Sequence, residues 1–357
     1  MIAFWFPIVL APVLGVAILS AVPVILTIER RGAAWIQRRS GPNRVGPWGL
    51  LQALADALKF VFKEEGIPAK ANKALFILAP VLAVVPPFLA FAAIPLGGYI
   101  HWDGQEIPLQ VANFNVGLIF LMAITSLHVF SVLIAGWASN NKFSLLGALR
   151  ASSQMISYEI AIGISVVSLV MLYGTVDLRE IVKLQEAGSS LPLWGAALQP
   201  LCFLIMWVCV FAETNRLPFD LPEGESELVA GYHTEYAGLM FALFFLGEYA
   251  AMFLASAFMA TLFLGGYNVP FISEAGLREF FMSHGHDLTM ASLLTVGAQA
   301  AALIAKIFFF MWVFVWVRWT LPRFRYDQLM DLGWKTLLPL GVLNVIVTMV
   351  VTFWLRT

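Results

Sequence analysis

Charged residues are scarce in this chain of 357 residues. Asp, Glu, Lys and Arg make up 12% of it, which is about half the charged fraction of a soluble domain. The formal net charge is −1, so the chain lacks the basic excess that nucleic-acid binding requires. With 60% hydrophobic residues, the composition instead favours a membrane protein.

Cysteine and histidine are also scarce. Cys202 and Cys209 lie in one apolar run without a CxxC pair, so they offer neither a disulfide framework nor a thiolate metal cluster. We interpret both as packing residues. A b-type haem would need axial histidines on facing spans, and only His128 falls within an apolar run. With no phosphate-binding glycine loop, nucleophile elbow or zinc motif, the chain is expected to hold no redox centre or metal of its own.

Long apolar runs dominate the sequence instead. A helix needs about 20 residues to cross a hydrocarbon core of about 30 Å, and eight segments are long enough. They are Ile2–Ile28, Ala74–Leu96, Asn113–Trp137, Ala151–Tyr173, Pro192–Ala212, Ala237–Phe263, Met290–Val317 and Thr336–Leu355. The first has no basic region before it and is too long for a signal peptide, so we expect it to be retained. The sequence predicts an all-α polytopic membrane protein, a single domain over 1–357 with about eight transmembrane helices and an interfacial amphipathic helix.

Loop charges orient the predicted bundle. Inner loops of membrane proteins carry an excess of lysine and arginine. With the N-terminus outside, only Arg179, Lys183, Arg278 and Arg356 fall in outer segments. Both termini would then lie outside, and the acidic segment 213–235 would lie on the inner side.

The first inner segment, residues 29–73, carries five arginines within fifteen residues. Ordinary charge anchoring is one interpretation, but Gly-Pro-Asn and Val-Gly-Pro turns favour a structured loop that docks a peripheral protein. In Trp48–Lys63, apolar residues recur at spacings of three and four, which is typical of an amphipathic helix lying in the membrane interface. Asp56 belongs to its narrow polar stripe.

The second inner segment of interest surrounds one arginine, Arg216, with six acids. These are Glu213, Asp220, Glu223, Glu225, Glu227 and Glu235. Carboxylates crowded beside a low-dielectric phase cannot all stay ionised, because like charges raise one another's pKa. Such a cluster can store and pass protons.

Three ionisable residues fall inside predicted spans: Glu159, Glu248 and Lys306. A charge at that depth is costly, so it normally faces a polar interior and has a partner. At about 1.5 Å per residue, both glutamates lie roughly 13–18 Å from the inner ends of their helices. We therefore predict a carboxylate path for protons from the inner face to mid-membrane, with a structural Glu–Lys pair as the alternative.

Four stretches together resemble one protein family. They are Glu29-Arg-Arg-Gly through Leu50-Leu-Gln-Ala-Leu-Ala-Asp-Ala-Leu-Lys59, Gly136-Trp-Ala-Ser-Asn-Asn through Ser-Tyr-Glu159, Ala212-Glu-Thr-Asn-Arg-Leu-Pro-Phe-Asp220 through Tyr236, and Arg323-Phe-Arg-Tyr-Asp-Gln-Leu-Met330 with Gly333-Trp-Lys335. The chain resembles a membrane-subunit family of proton-pumping NADH:quinone oxidoreductase, or respiratory complex I, whose mitochondrial member is called subunit 1. The resemblance covers nearly the whole chain, with one departure: Ala53 stands where the family usually has proline.

The resemblance implies an oxidoreductase subunit at the place where the peripheral arm docks. It would form most of a quinone tunnel, entered from the bilayer near the first and sixth spans and the interfacial helix. Quinone would be the substrate, while NADH, FMN and iron–sulfur clusters would bind to partner subunits. The implied partners are the peripheral iron–sulfur and quinone-site subunits, small membrane subunits and membrane lipids. We expect the bacterial plasma membrane, with the mitochondrial inner membrane as the alternative.

Matching positions imply roles for twelve residues. The proton path would comprise Glu213, Asp220, Glu223, Glu225, Glu227, Glu159 and Glu248. The residues that face the tunnel or brace its wall would be Arg30, Arg39, Asp56, Arg216 and Arg323. Quinone reduction takes up two protons and changes the charge near the acids. We hypothesise that their coupled titration transmits this change to distant pumping subunits.

Three other functions compete with this interpretation. The membrane subunit of an energy-converting hydrogenase or formate hydrogenlyase shares the arginine and acidic loops but uses no quinone. The Ser-Tyr-Glu and Arg-Tyr-Asp-Gln-Leu-Met stretches favour the respiratory member. A freestanding ion or solute transporter would explain the intramembrane charges and would transport without partners. A purely structural anchor would leave the buried carboxylates without a purpose.

Overall fold

A computed structural model describes residues 2–186, 194–222, 224 and 228–356 of the chain. The α-helices of this part are α1 Ile2–Ile36, α2 Gln52–Phe62, α3 Lys73–Phe91, α4 Gly117–Ala138, α5 Lys142–Tyr173, α6 Leu178–Leu184, α7 Gly195–Leu198, α8 Pro200–Glu213, α9 Gly238–Phe263, α10 Glu274–Ser283, α11 Leu288–Thr320, α12 Tyr326–Asp331 and α13 Leu338–Arg356. Within the described residues, seven helical segments are long and apolar enough to cross a membrane: α1, α3, α4, α5, α9, α11 and Tyr326–Trp354. The last runs from α12 to α13 through a π-helical turn at Leu332–Leu337. The all-α, polytopic fold is therefore confirmed.

The fifth predicted span differs from the others. Part of it, residues 192 and 193, lies outside the described residues. The rest divides at Gln199 into the short helix α7 and the 14-residue helix α8. At 1.5 Å per residue α8 is about 21 Å long, which is shorter than a hydrocarbon core. The break falls before Pro200, because the residue preceding a proline disfavours the helical region.

Helix α1 continues well past the predicted boundary at Ile28. Its buried residues Ile18, Val22, Ile25, Glu29 and Ala33 follow one another at spacings of three and four. They form one stripe on the helix surface. Glu29 therefore lies on a buried helical face and not in an inner loop, as its place in the Glu-Arg-Arg-Gly motif suggested.

A small β-hairpin interrupts the helical pattern between α3 and α4. Strands β1 (Tyr99–Trp102) and β2 (Gln105–Pro108) pair antiparallel. They are joined by Asp103 and Gly104, both with positive φ. An Asp-Gly pair suits this two-residue turn because both positions need the left-handed region. The signal was present in the sequence, but the hairpin was not predicted.

Close backbone approaches hold the centre of the bundle together. A Cβ on Gly147 of α5 would lie 2.7 Å from Cα of Gly231, and one on Gly247 of α9 would lie 2.6 Å from the carbonyl oxygen of Ala83 in α3. Glycine at these two positions lets α5 contact the turn Gly231–His233 and lets α9 contact α3. The turn Gly231–His233, which precedes α9, is thereby held against α5.

Candidate functional site

The segment after α8 folds back into the helical bundle. Glu213 is the last residue of α8, and Arg216 and Asp220 are both buried. Three of the predicted proton-path residues, Glu223, Glu225 and Glu227, lie outside the described residues. The described site therefore comprises Glu213, Arg216 and Asp220 together with the helices around them.

Arg216 is the centre of a largely buried set of charges drawn from four parts of the chain. Its Nε lies 2.6 Å from Oε1 of Glu248 in α9, and its Nη1 lies 3.5 Å from Oε1 of Glu29 in α1. The guanidinium also stacks over the ring of Tyr249, 4.4 Å from its centroid. Arg318 of α11 donates a hydrogen bond to Oε1 of Glu29, and the Tyr249 hydroxyl donates to Oε2 at 2.6 Å.

We call Glu29, Arg216, Glu248, Tyr249 and Arg318 the Arg216 network. Two carboxylates face two guanidinium groups, so the network is balanced in charge. Burial by itself favours a neutral Arg216, but the neighbouring carboxylates of Glu248 and Glu29 outweigh that effect. The pKa of Arg216 is consequently raised above its usual value. This arginine stays a cation.

Glu213 faces the opposite way, into a cavity that it shares with Glu159 of α5. The lining residues are Pro87, Leu121, Met122, Thr125, His128, Glu159, Ile162, Val210, Glu213, Thr214, Ala251, Leu254, Ala255 and Phe258. The volume open to water is about 40 Å³, and one water needs about 10–15 Å³. The cavity therefore has room for about three waters.

We call this space the carboxylate cavity. Among the lining residues that the structure describes, none is a lysine or an arginine. The charge of Glu159 acts directly on Glu213, and two carboxylates at close range in a low dielectric repel each other strongly. The pair is therefore suited to hold a proton, in contrast to the carboxylates of the Arg216 network.

A second ion pair and one amide fix the position of the segment. Nη2 of Arg323 lies 2.7 Å from Oδ2 of Asp220. Nε2 of the buried residue Gln154 donates to the carbonyl oxygens of Ala212 at 2.7 Å and of Phe219 at 2.8 Å. Gln154 thus connects α5 to both ends of the segment that carries Glu213 and Arg216.

Asp56 lies apart from these clusters, on the amphipathic helix α2. It pairs with Arg30 of α1, whose Nη1 lies 2.5 Å from Oδ2, and it also accepts hydrogen bonds from Gln52 and Lys59. Its slight burial raises the pKa, but the hydrogen bonds from Arg30 and Gln52 outweigh this, so the pKa of Asp56 is lowered. Arg30 and Asp56 together join α1 to α2.

Two further charged residues that the sequence singled out, Arg39 and Lys306, do not belong to either cluster. Arg39 is exposed, and its Nε donates to Gln37 at 2.7 Å, away from the Arg216 network. Lys306 pairs with neither glutamate. Its Nζ donates to the backbone carbonyls of Leu264, Gly266 and Asn268 at 2.7–2.8 Å. It thereby satisfies carbonyl groups that follow the C-terminus of α9.

Sequence reasoning missed four residues of the site: Glu29, Tyr249, Arg318 and His128. Glu29 could have been found, because it continues the apolar stripe of α1 at the spacing of four residues after Ile25. His128 was considered only as a haem ligand, although an isolated histidine within a span also marks a polar interior. Tyr249 and Arg318 carry no such signal, since their role depends on how α9 and α11 pack.

Comparison with known proteins gives one consistent result. A family model described as NADH dehydrogenase matches residues 8–349. The NADH-quinone oxidoreductase H subunit of Bdellovibrio bacteriovorus is 46% identical, covering 96% of this chain and 94% of that protein. The corresponding NADH-quinone oxidoreductase H subunit of Cytophaga hutchinsonii is 50% identical over 90% of this chain and 89% of that protein. NADH-quinone oxidoreductase subunit 8 of Rhodothermus marinus is 44% identical, with 96% of both chains covered.

Proposed function

This chain belongs to the NADH dehydrogenase family, and on that basis we propose that it is the tunnel-forming membrane subunit of a proton-pumping NADH:quinone oxidoreductase. In this role it forms most of the tunnel that admits quinone from the bilayer, and it begins the proton path that couples quinone reduction to proton translocation. Electrons come from NADH through FMN and iron–sulfur clusters in partner subunits. The complex resides in a bacterial plasma membrane.

The observation that carries this proposal is that the carboxylate cavity and the Arg216 network, two opposite electrostatic environments, are joined by a few residues of chain. Glu213 faces the carboxylate cavity, and Arg216, three residues later, is the centre of the Arg216 network. A unit charge that appears about 10 Å from a carboxylate changes its proton binding by ~1.7 kcal/mol at an effective dielectric constant of 20. That change corresponds to about one pKa unit. Quinone chemistry beside the network would therefore alter proton occupancy in the cavity.

The quinone entrance is proposed to lie between α1, α2 and α9. Arg30 and Asp56 hold α2 against α1, and Phe60 of α2 contacts Phe241 of α9 with ring centroids 6.0 Å apart. Leu54, Leu58 and Phe62 leave a large apolar face of α2 exposed, which suits a helix that lies in the membrane interface. An isoprenoid tail can enter at such a face without crossing headgroups.

The exposed arginines of the first inner segment are proposed to dock the peripheral arm. Arg38, Arg39 and Arg44 are all exposed, and they occupy the connection between α1 and α2. Arginine forms bidentate hydrogen bonds with carboxylates, so an acidic face on a peripheral iron–sulfur or quinone-site subunit would be a matching surface. The exposed position of Arg39 fits this docking role better than a place inside the tunnel.

Replacing Glu213 by Gln tests the proton path. Glutamine keeps the size and hydrogen-bonding capacity of Glu213 but cannot carry its proton. In the assembled complex we expect proton-coupled quinone reduction to fall by about a hundredfold or more, the scale of a lost proton-transfer group. NADH oxidation by a water-soluble artificial acceptor should stay unchanged. Both rates and proton uptake by membrane vesicles would be measured.

The matched control is Glu279→Gln on α10, since Glu279 is exposed and distant in sequence from the site. It should leave every rate unchanged. A Glu213→Gln complex that assembles and keeps full quinone reduction with full proton pumping would refute the proton path. Photolabelling by a quinone analogue tests the tunnel separately, and a failure to label this chain would count against it.

A further inference from the structure

One face of α4 contributes a histidine to the carboxylate cavity. Leu121, Met122, Thr125 and His128 all line it, and their spacing places them on one side of the helix. His128 is the remaining titratable lining residue beside Glu159 and Glu213. Thr125 and Thr214, the lining hydroxyls, donate to backbone carbonyls of their own helices.

The neighbouring helix α3 explains why a histidine can be held there. The carbonyl of Ala83 would normally accept a hydrogen bond from residue 87, or from residue 86 in a tighter turn. Both positions are proline, and proline has no backbone N–H. The His128 imidazole lies within hydrogen-bonding reach of this backbone group, so it can supply the missing donor.

That contact uses only one of the two ring nitrogens of His128. A neutral imidazole that donates from one nitrogen has the other nitrogen as a proton acceptor. The buried Nδ1 of His128 makes no hydrogen bond with any residue in the described part of the chain. A buried polar atom without a partner is costly unless water or a proton reaches it, and the cavity has room for water.

We propose that His128 is a third proton-carrying group of the carboxylate cavity, exchanging protons with Glu159 and Glu213 through its water. This inference rests on the proton path proposed above and adds a residue to it. In the transfer, the O–H bond of a protonated glutamic acid breaks and an N–H bond forms on the imidazole. A carboxylate and an imidazolium result, so the total charge of the cavity is unchanged and no oxidant or reductant is needed.

A purely structural role makes a different prediction. If His128 served only to satisfy the Ala83 carbonyl, any side chain with an N–H donor of similar length would replace it. Glutamine offers such a donor but does not titrate near neutral pH. Glutamate titrates but has no N–H, and its ionised carboxylate only accepts hydrogen bonds. The two substitutions therefore separate hydrogen bonding from proton transfer.

The experiment compares His128→Gln and His128→Glu in the complete NADH:quinone oxidoreductase in membrane vesicles. For His128→Gln we expect normal assembly and normal NADH oxidation by an artificial acceptor. Proton-coupled quinone reduction should be slower by about tenfold, which is less than the roughly 10²–10⁴-fold of a sole proton-transfer group because Glu159 and Glu213 remain in the cavity. The acidic limb of the pH–rate profile should also move. His128→Glu should recover part of the rate with a profile displaced to lower pH, because its ordinary pKa is about two units below that of histidine.

Ser126→Ala on α4 is the control, since Ser126 does not line the cavity and donates to its own helix. If His128→Gln keeps the rate, the pH profile and the proton yield of the unmodified complex, the inference is wrong. If Glu213→Gln loses proton pumping while His128→Gln does not, the path stands without His128. If neither variant loses it, the proposed path itself fails.

A spectroscopic measurement covers variants that fail to assemble. Infrared difference spectra of the unmodified complex, with and without nitrogen-15 in histidine, should show a shifted imidazole protonation band when quinone is reduced. In a second complex, every subunit except this chain carries labelled histidine. The isotope-shifted band should be weaker there than in the fully labelled complex, because the histidines of this chain no longer contribute to it. Absence of any shifted imidazole band on quinone reduction would overturn the inference.

Discussion

The Arg216 network and the carboxylate cavity contain the same kind of acid in opposite surroundings. Glu248 lies 2.6 Å from a guanidinium nitrogen, and Glu29 contacts both Arg216 and Arg318. Glu159 and Glu213 instead line one cavity, and its described lining residues include no lysine or arginine. The first pair of acids is therefore paired with guanidinium groups, whereas no described cation lies beside the second pair, which is the pair we propose to bind and release protons.

The number of acids in a segment therefore says little about its chemistry. A buried carboxylate beside an arginine is a structural charge, and its removal leaves an uncompensated partner. A buried carboxylate beside another carboxylate is a proton-binding group. Three substitutions test whether the two regions differ in this way.

The largest effect is expected from Arg216→Met. The substitution removes the cation between Glu29 and Glu248, and breaking a buried ion pair from one side costs about 3–5 kcal/mol. We expect a strongly lowered free energy of unfolding, seen as a lower melting temperature or loss of the assembled complex. The exposed residue Arg39 provides the control, because Arg39→Met should leave the melting temperature unchanged. Equal behaviour of the two variants would show that the network is not a structural ion cluster.

A smaller but more discriminating effect separates Glu248→Gln from Glu159→Gln. Glu248→Gln removes the charge closest to Arg216, so we expect stability to fall by about 1–3 kcal/mol. Glu159→Gln removes a like-charge repulsion, so stability should be retained while proton pumping is lost. Melting temperature and proton uptake would be measured on both complexes at pH 7. If both variants lost stability to the same extent, the acids of the two regions would not differ in the way described here.

The smallest effect concerns Arg30 and Asp56, a third kind of pair that is partly exposed. Because the pKa of Asp56 is lowered from its ordinary value of 3.8, the pair stabilises the fold above that pH and loses this contribution as pH falls through the lowered pKa. Asp56→Asn should cost less than about 1 kcal/mol at pH 7. The difference from the unmodified chain should disappear in acid. A difference that persists below the lowered pKa would mean that packing, and not charge, joins α2 to α1.

The sequence predicted the helical architecture because each long helix carries its own apolar signal. It did not predict where α1 ends, since Arg30 and Arg31 mark a membrane boundary while the helix continues beyond it to Ile36. The hairpin at Asp103 and Gly104 was missed although its turn signal is local. Hydropathy predicts which residues enter the membrane, but not how far a helix extends beyond it.

The sequence predicted a site made of several acids, but not that these acids divide between the Arg216 network and the carboxylate cavity. Glu159, Glu213 and Glu248 were expected to form one path, yet Glu248 lies against Arg216 while the other two share the cavity. The stripe of α1 shows that Glu29 is buried, but which cation reaches which acid depends on how α1, α9 and α11 pack against one another, and periodicity does not reveal which helices meet. Lys306 illustrates the same limit, because its partners are backbone carbonyls, which every residue has.

The side chain of Gln154 has a mechanical consequence for this arrangement. Its amide nitrogen restrains both ends of residues 212–219, since it bonds the carbonyls of Ala212 and Phe219. Residues 212–219 therefore form a loop whose two ends are both hydrogen-bonded to α5 through Gln154. Glu213 and Arg216 both belong to this loop. Because both of its ends are restrained, the loop has few alternative conformations, and a shift of one residue must displace the other.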